Sequence, residues 1–468
     1  MLRASAAAEA AGVASASLVC EGFLGQAATT AVGLGMPNLP AARMVGHVDT
    51  QVVEELTANI LTVTVPELVD CLTRQPDDAA EIVEPEAREV VFVGDFDEVN
   101  RLFYENRWSD GLPIVPPTAE RVEAFLAFCD LAPEHSLGRV LPDNRECTVW
   151  SVAVNGVMAG CRPEYMPVLV ALAEAMADPA YGVEHSGNTP GAETLITING
   201  PLIGQLGFNY EQGVLRDGFQ ANTSIGRWWR LYLRNVAGFL PHLTDKGTYG
   251  NTWRVVLAEN EAVLARIGWP PLASDFGFAQ GDNVVTISRY TGGDVLASVF
   301  GQRPEEMVPY LADALAKQAG WELVFTMGVG DGTYRPLLLL SPILAETIAK
   351  AGWSRDQLKR ALWEAARIPA WKFEKYLGEW TNLYPGRRSL EDFVNMRRAP
   401  RVFAESSDPN RLVPLTWAPE DILVAVTGDP LRTNAYVFSH NGMLGFPTAK
   451  RVRLPERWEA KLAAARQG

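Results

Sequence analysis

Apolar positions along this chain fall into two rhythms, short unbroken runs and runs of helical period. Ala16–Cys20 and Ala41–Val45 are short apolar runs, and the pattern predicts buried strands there. Between them Phe23–Leu34 has helical spacing and closes at Gly35, and Val52–Ile60 and Pro66–Leu72 follow as two further helices. Strand, helix, strand, helix implies a parallel sheet with crossover helices. Residues 74–87 are acidic and proline-bearing, which is a linker composition.

After the linker the same mixture resumes. Helical spacing covers Asp95–Arg107, a helix capped by Thr118 and running through Phe128, Thr148–Ala159, Pro163–Ala177, Asn222–Ala237, Glu305–Gln318 and Arg355–Ala366. Apolar runs at Thr194–Ile198, Val284–Ser288, Glu322–Met327 and Ile422–Val426 predict core strands. No internal repeat is visible. The expected fold is α/β: a small parallel-sheet, flavodoxin-like fragment over 1–73, then a larger mixed α/β domain over 90–468. A break between two lobes is expected near 270–280.

Composition narrows the function. The 468 residues carry 41 Lys+Arg against 56 Asp+Glu, a net charge of −15. A nucleic-acid binder needs a basic stripe to neutralise phosphates, and none is present. Five cysteines, without a C-x-x-C pair, do not make a disulfide scaffold and fit a reducing cytoplasm. Glu9 interrupts the alanine-rich start, so no export signal is expected, and no uncharged apolar run reads as a membrane span.

Four stretches carry candidate chemistry. Cys161 precedes Pro163, a residue suited to the first turn of a helix, so the helix dipole and Arg162 would favour a thiolate, with Glu164 as proton shuttle or cap. The plain alternative is a buried structural cysteine. Asn222, Thr223 and Ser224 look like a polar cluster opening a helix, with Arg227 one turn in, which suits a carboxylate or phosphate; simple capping explains the same residues. Trp108-Ser109-Asp110-Gly111 leads into a rigid proline loop, where Asp110 lines a pocket or marks a connector. Two glycine turns follow strands, at Gly328–Gly332 and at Thr427-Gly428-Asp429-Pro430, without a phosphate-loop lysine. Asn199 ends the Thr194–Ile198 strand and joins the substrate-binding candidates. No cofactor motif is present. His185, His242 and His440 are the fallback metal ligands, with none of the usual spacings.

Two groups of motifs resemble a known family. Cys20-Glu21-Gly22-Phe23, the stretch Gly33-Leu34-Gly35-Met36-Pro37-Asn38-Leu39-Pro40 and the His47 segment resemble the C-terminal half of the UGSC-type (seleno)protein family. Trp108 through Thr118, Val154-Asn155-Gly156-Val157-Met158-Ala159-Gly160-Cys161-Arg162-Pro163-Glu164-Tyr165, Ile198-Asn199-Gly200-Pro201 and Ala221 through Arg227 resemble the larger protein found beside or fused to that module. The resemblance implies thiol or selenol redox chemistry. The Gly-Ser-Cys motif that names the family is not in this sequence, so either a partner supplies that centre or the chemistry rests on Cys161. The expectation is an enzyme for a small, polar, carboxylate-bearing substrate, making or breaking a carbon–heteroatom bond with or without electron transfer, with Cys161 as nucleophile or redox thiol and Glu164 or Asp110 moving protons. The alternatives are a non-catalytic partner subunit of a redox protein and a metal-dependent lyase or hydrolase. A homodimer is the default assembly.

Overall fold

The computed structural model describes residues 2–74, 88–384, 386, 388–442 and 445–467; the expected linker lies almost wholly outside them. The strands in chain order are β1 (Ser17–Cys20), β2 (Ala41–Met44), β3 (Ser136–Val140), β4 (Arg145–Thr148), β5 (Glu193–Asn199), β6 (Val256–Ala258) and β7 (Val284–Leu296). They continue as β8 (Leu337–Leu340), β9 (Arg367–Pro369), β10 (Leu412–Pro414), β11 (Leu423–Val426), β12 (Ala435–His440) and β13 (Thr448–Arg451). The α/β class is observed. β1 and β2 pair in parallel around the Leu24–Gly33 helix, as the N-terminal pattern predicts.

One expectation in this region changes. Val53–Thr73 is a single helix rather than two, long and apolar enough by composition to cross a membrane, and only 6% of its apolar window is buried. Pro66 sits at the start of its last α-helical segment, and the wider π turn at Ile60–Thr64 carries the chain past the N–H that proline lacks.

The large sheet has seven strands, in the order β11-β8-β12-β7-β5-β6, with β13 also on β7. It contains a duplication that the sequence does not display. β6 runs parallel to β5, and β7 borders β5 antiparallel. β11 runs parallel to β8, and β12 borders β8 antiparallel. The registers coincide: Ile198 pairs with Ala258 in one half, and Leu340 with Val426 in the other. β7 and β12 join the halves. The stretch 270–280, where a break between lobes is expected, precedes β7, which still belongs to the first half through β5, and one sheet spans both halves.

The sheet curls until its edge strands meet. Asn260 N–H donates to the Val426 carbonyl at 2.8 Å, and Thr427 Oγ1 donates to the Ala258 carbonyl at 2.8 Å. Alternate residues of the strands, Leu195, Leu257, Tyr290, Leu337, Leu339, Leu423 and Phe438, fill the inside of the curl. The opposite faces each bury a helical layer. Ile196, Ile198, Val285 and Ile287 pack under the first layer, and Leu338, Leu340, Val424 and Val437 under the second. Glu322–Met327 is not a strand: Trp321–Phe325 is a 3-10 turn packed in the second layer. A short, wholly buried apolar run has no period to tell strand from helix.

Candidate functional site

The Gln220–Tyr232 helix organises the first candidate site. It starts two residues before Asn222, after extended Phe219, and no side chain caps it. Asn222 is therefore inside the helix and buried. Its Oδ1 accepts from Asn209 N–H at 2.8 Å, and its Nδ2 donates to the carbonyls of Asn209 and Val256. Thr223 accepts from Gly218 N–H, and Ser224 donates to the Gln220 carbonyl at 2.6 Å. The expected anion cradle of Asn222, Thr223 and Ser224 is not formed, because each polar group is held by the chain's own backbone.

Arg227 and Asp110 do come together. Arg227 Nε and Nη2 donate to the two Asp110 oxygens at 3.0 and 2.9 Å, and Nη2 also reaches the Pro113 carbonyl at 2.9 Å. Arg254 adds a longer contact to the same carboxylate at 3.4 Å. Gly226 allows this approach: a Cβ there would lie 2.4 Å from the Arg254 backbone. Burial by itself would raise the Asp110 carboxyl, but the bonds and charge of Arg227, with Arg254 behind them, outweigh it and hold it below the usual range. Asp110 is the clasp that pins the proline loop to the helix, with its acceptor oxygens already used.

Cys161 lies beneath this junction and is buried. Burial pushes its thiol up to about 12, against a hydrogen bond with Ser224 and the charge of Arg227, both of which pull it down. The expected thiolate is therefore not what this environment favours. The turn at Pro163–Tyr165 that follows Cys161 has only three residues, and desolvation outweighs any dipole it offers. Glu164 is buried and paired with Arg162 at 2.5 Å. We expect iodoacetamide at pH 8 to label half-exposed Cys20, Cys71 and Cys129 well before Cys161. Peptide mass spectrometry reads this directly, and fast Cys161 labelling near neutral pH would return it to the role of nucleophile.

A groove lies beside the clasp. Its volume is about 1220 Å³, and the two most distinctive motifs line it: Trp108 and Val115–Thr118 from the proline loop, and Val154, Asn155 and Met158 from the Val149–Ala159 helix. Val90–Val93 form an outer wall. The lining also holds Asn235, whose Nδ2 donates to the Trp108 carbonyl and to Asn155 Oδ1. Its own Oδ1 is buried without a partner. Arg121 stands among the lining residues. Thr118 occupies the cap position of the Ala119–Leu126 helix, although its side chain makes no capping bond.

Asn199 belongs elsewhere, at the carboxyl ends of β5 and β6. Its Nδ2 donates to Glu259 at 2.7 Å and to Glu261 at 3.0 Å. Glu259, which the sequence reading passed over, also accepts from the N–H groups of Leu272 and Val426, so it ties both halves of the sheet together. Burial pushes its carboxyl up to about 7, even though these three donors oppose the rise. The one signal in the sequence is an acidic residue directly after the apolar run Val255–Ala258.

The fallback metal set does not assemble. Among the described residues no three His, Cys, Asp or Glu side chains converge. His440 is buried with both ring nitrogens engaged, by Arg335 N–H and the Gly445 carbonyl. His185 is partly buried, and His242 sits in a left-handed turn at φ 69°. The Gly328–Gly332 turn is filled by Arg398, which bonds Asp331 and the Gly328 carbonyl.

Comparison with protein-family models, with characterised proteins and with solved structures returns no match. The functional reading therefore rests on the chemistry of the residues themselves.

Proposed function

We propose that this chain holds a small molecule with an apolar body and a carboxylate in the groove beside the clasp, and that it serves an enzyme reaction there. The observation that carries this is the groove itself: apolar walls built from both motifs, with Arg88 and Arg121 as the cations that would meet a carboxylate, Glu89, Asp95 and Glu123 also on its lining, and the unpartnered Asn235 oxygen free to accept from a donor on the ligand's body. A large apolar cleft with a few convergent polar groups is where small ligands bind. Of the expected roles, the substrate-holding subunit of a thiol or selenol redox system fits better than a self-sufficient thiol enzyme. Burial keeps the Cys161 thiol protonated at neutral pH, so the nucleophile or electrons would come from a partner. This also suits the likeness to UGSC-type proteins.

A docking role is favoured by a second observation. β1 and β2 form a two-stranded parallel sheet, and parallel sheets ordinarily bury both faces. The adjoining helix leaves Val53, Leu61, Val65, Val69 and Leu72 exposed.

Isothermal titration of the full chain with a panel of aliphatic and aromatic carboxylates tests the groove. At least one is expected to bind saturably, and Val154→Trp, which fills the groove, is expected to abolish that binding. Absence of saturable binding, or binding untouched by Val154→Trp, would remove the proposal.

A further inference from the structure

The glycine turn after β11 meets a cavity that the groove does not use. It encloses about 450 Å³, and its lining includes Ser341 at the end of β8, Thr427 and Asp429 after β11, Tyr436, Arg216 and Arg432. Ser341, Thr427 and Asp429 stand at the carboxyl ends of the parallel strands β8 and β11, where α/β sheets place their ligand crevices.

Three observations point to an anion. Ser341 precedes the nine-residue Pro342–Lys350 helix, yet its hydroxyl makes no capping bond. The residue is 5% exposed, and Oγ has no hydrogen-bond partner at all. A buried hydroxyl left unbonded is costly unless something else completes it. Next, Arg216 and Arg432 are exposed and neither pairs with a carboxylate among the described residues. Most other arginines named above are engaged by the chain itself. Asp429 is the acidic residue of the lining, but its Oδ1 is turned to Leu431 N–H within its own loop.

The third observation comes from the duplication. By register, Asn199 corresponds to Ser341, Glu259 to Thr427 and Glu261 to Asp429. In the first half Glu261 reaches the helix start after β5 and accepts from Gly200 N–H at 2.9 Å. The chain supplies its own carboxylate to that position. In the second half the residue matching Gly200 is Pro342, which has no N–H to donate, so Asp429 has no such bond to make and accepts from Leu431 N–H instead; the donors left on that side are the Ser341 hydroxyl, Arg216 and Arg432. At Gly428, φ 95°, an added Cβ would meet no atom within 4 Å, so the loop is not packed shut.

We propose that this cavity binds a small phosphate-bearing molecule, its phosphate held by Arg216, Arg432 and the Ser341 hydroxyl and its body against Tyr436. Two guanidinium groups from separate loops and a hydroxyl line the same cavity. That suits a tetrahedral dianion better than a planar carboxylate, which one guanidinium alone satisfies.

The test is calorimetric titration of the full chain with phenyl phosphate, with benzoate as a comparator of the same ring size. Phenyl phosphate is expected to bind saturably and benzoate at least about tenfold more weakly. Arg216→Gln and Arg432→Gln are each expected to weaken phenyl phosphate by about tenfold or more, the size of one charge-assisted hydrogen bond. Both side chains are exposed, so an unchanged thermal melt certifies the variants. Asp429→Asn is expected to strengthen binding. No saturable heat, or wild-type affinity in both arginine variants, overturns the assignment. So does loss of phenyl phosphate binding in Val154→Trp, which would place the phosphate in the groove instead. Failure here leaves the groove proposal standing, since that rests on carboxylate binding and on different residues.

Discussion

Asp110→Asn is expected to destabilise the fold by about 3 kcal/mol, the lower end of the range for breaking a buried ion pair. The substitution keeps the shape of the side chain and removes its charge. It leaves the Arg227 fork, whose side chain is only 17% exposed, without a counter-charge. Arg254 is 40% exposed and regains water, so it adds little. Arg227→Lys, with Asp110 intact, is expected to cost less than Asp110→Asn, since an ammonium keeps the charge pair but cannot present two parallel donors. The pH dependence has a definite sign. The folded carboxyl titrates below its ordinary value, so the stabilisation is complete above about pH 4 and is lost as pH falls through the folded pKa. Urea unfolding at pH 7 and pH 3 checks this: the gap between wild type and Asp110→Asn should narrow in acid. An Asp110→Asn chain with wild-type stability at pH 7 would show that the clasp does not hold the loop.

Glu259 has the opposite dependence. Its folded value is about 7, against an ordinary value of 4.5. Between these the folded state binds the proton that the unfolded state has released, so stability falls as pH rises from about 4.5 to about 7. The shift corresponds to about 3 kcal/mol at the top of that window. Glu259→Gln cannot ionise and is expected to abolish this component. It carries its own cost. One carboxylate oxygen accepts from Val426 N–H and the other from Leu272 N–H and Asn199. An amide NH₂ would face a donor on one side, destabilising by about 1–3 kcal/mol at every pH. The measurement is denaturant unfolding of both proteins at pH 5 and pH 7.5. The difference between them should shrink at the higher pH; a constant difference would mean that Glu259 is ionised throughout.

Much of the architecture was legible because period and burial agree. The Glu305–Gln318 and Arg355–Ala366 patterns are amphipathic, and helices stand at Pro304–Gln318 and Arg355–Ala365. The strand before Asn199 and the parallel pair β1 and β2 follow from apolar runs between turn residues. The site was legible in its members but not in their roles. Asp110 and Arg227 were both singled out, yet they are 117 positions apart, and nothing local says that each exists for the other. Asn222 resembles a cap because caps and buried bridging amides use the same residue type; only the position of Phe219 decides between them. The thiol was misread because a helix start after Cys161 is visible in sequence, whereas the desolvation that outweighs it is a property of the packed core. The duplication was hidden because Val-Leu-Ala in β6 and Val-Ala-Val in β11 share little beyond being apolar, and a repeat of register needs no repeat of letters.

The long strand β7 bears on how the molecule can be divided. Its first half borders β5 and its second half borders β12, so it is the antiparallel flank of one unit and the seam to the other. A chain severed before it, near residue 275, would not yield two self-sufficient pieces. The leading fragment would keep β5 and β6 but lose β7, and the trailing fragment would carry a β7 that keeps β13 beside its first residues and loses β5 from the other side. Each would be a template for the other, and reassembly from the two halves, rather than independent folding of either, is the behaviour this topology dictates.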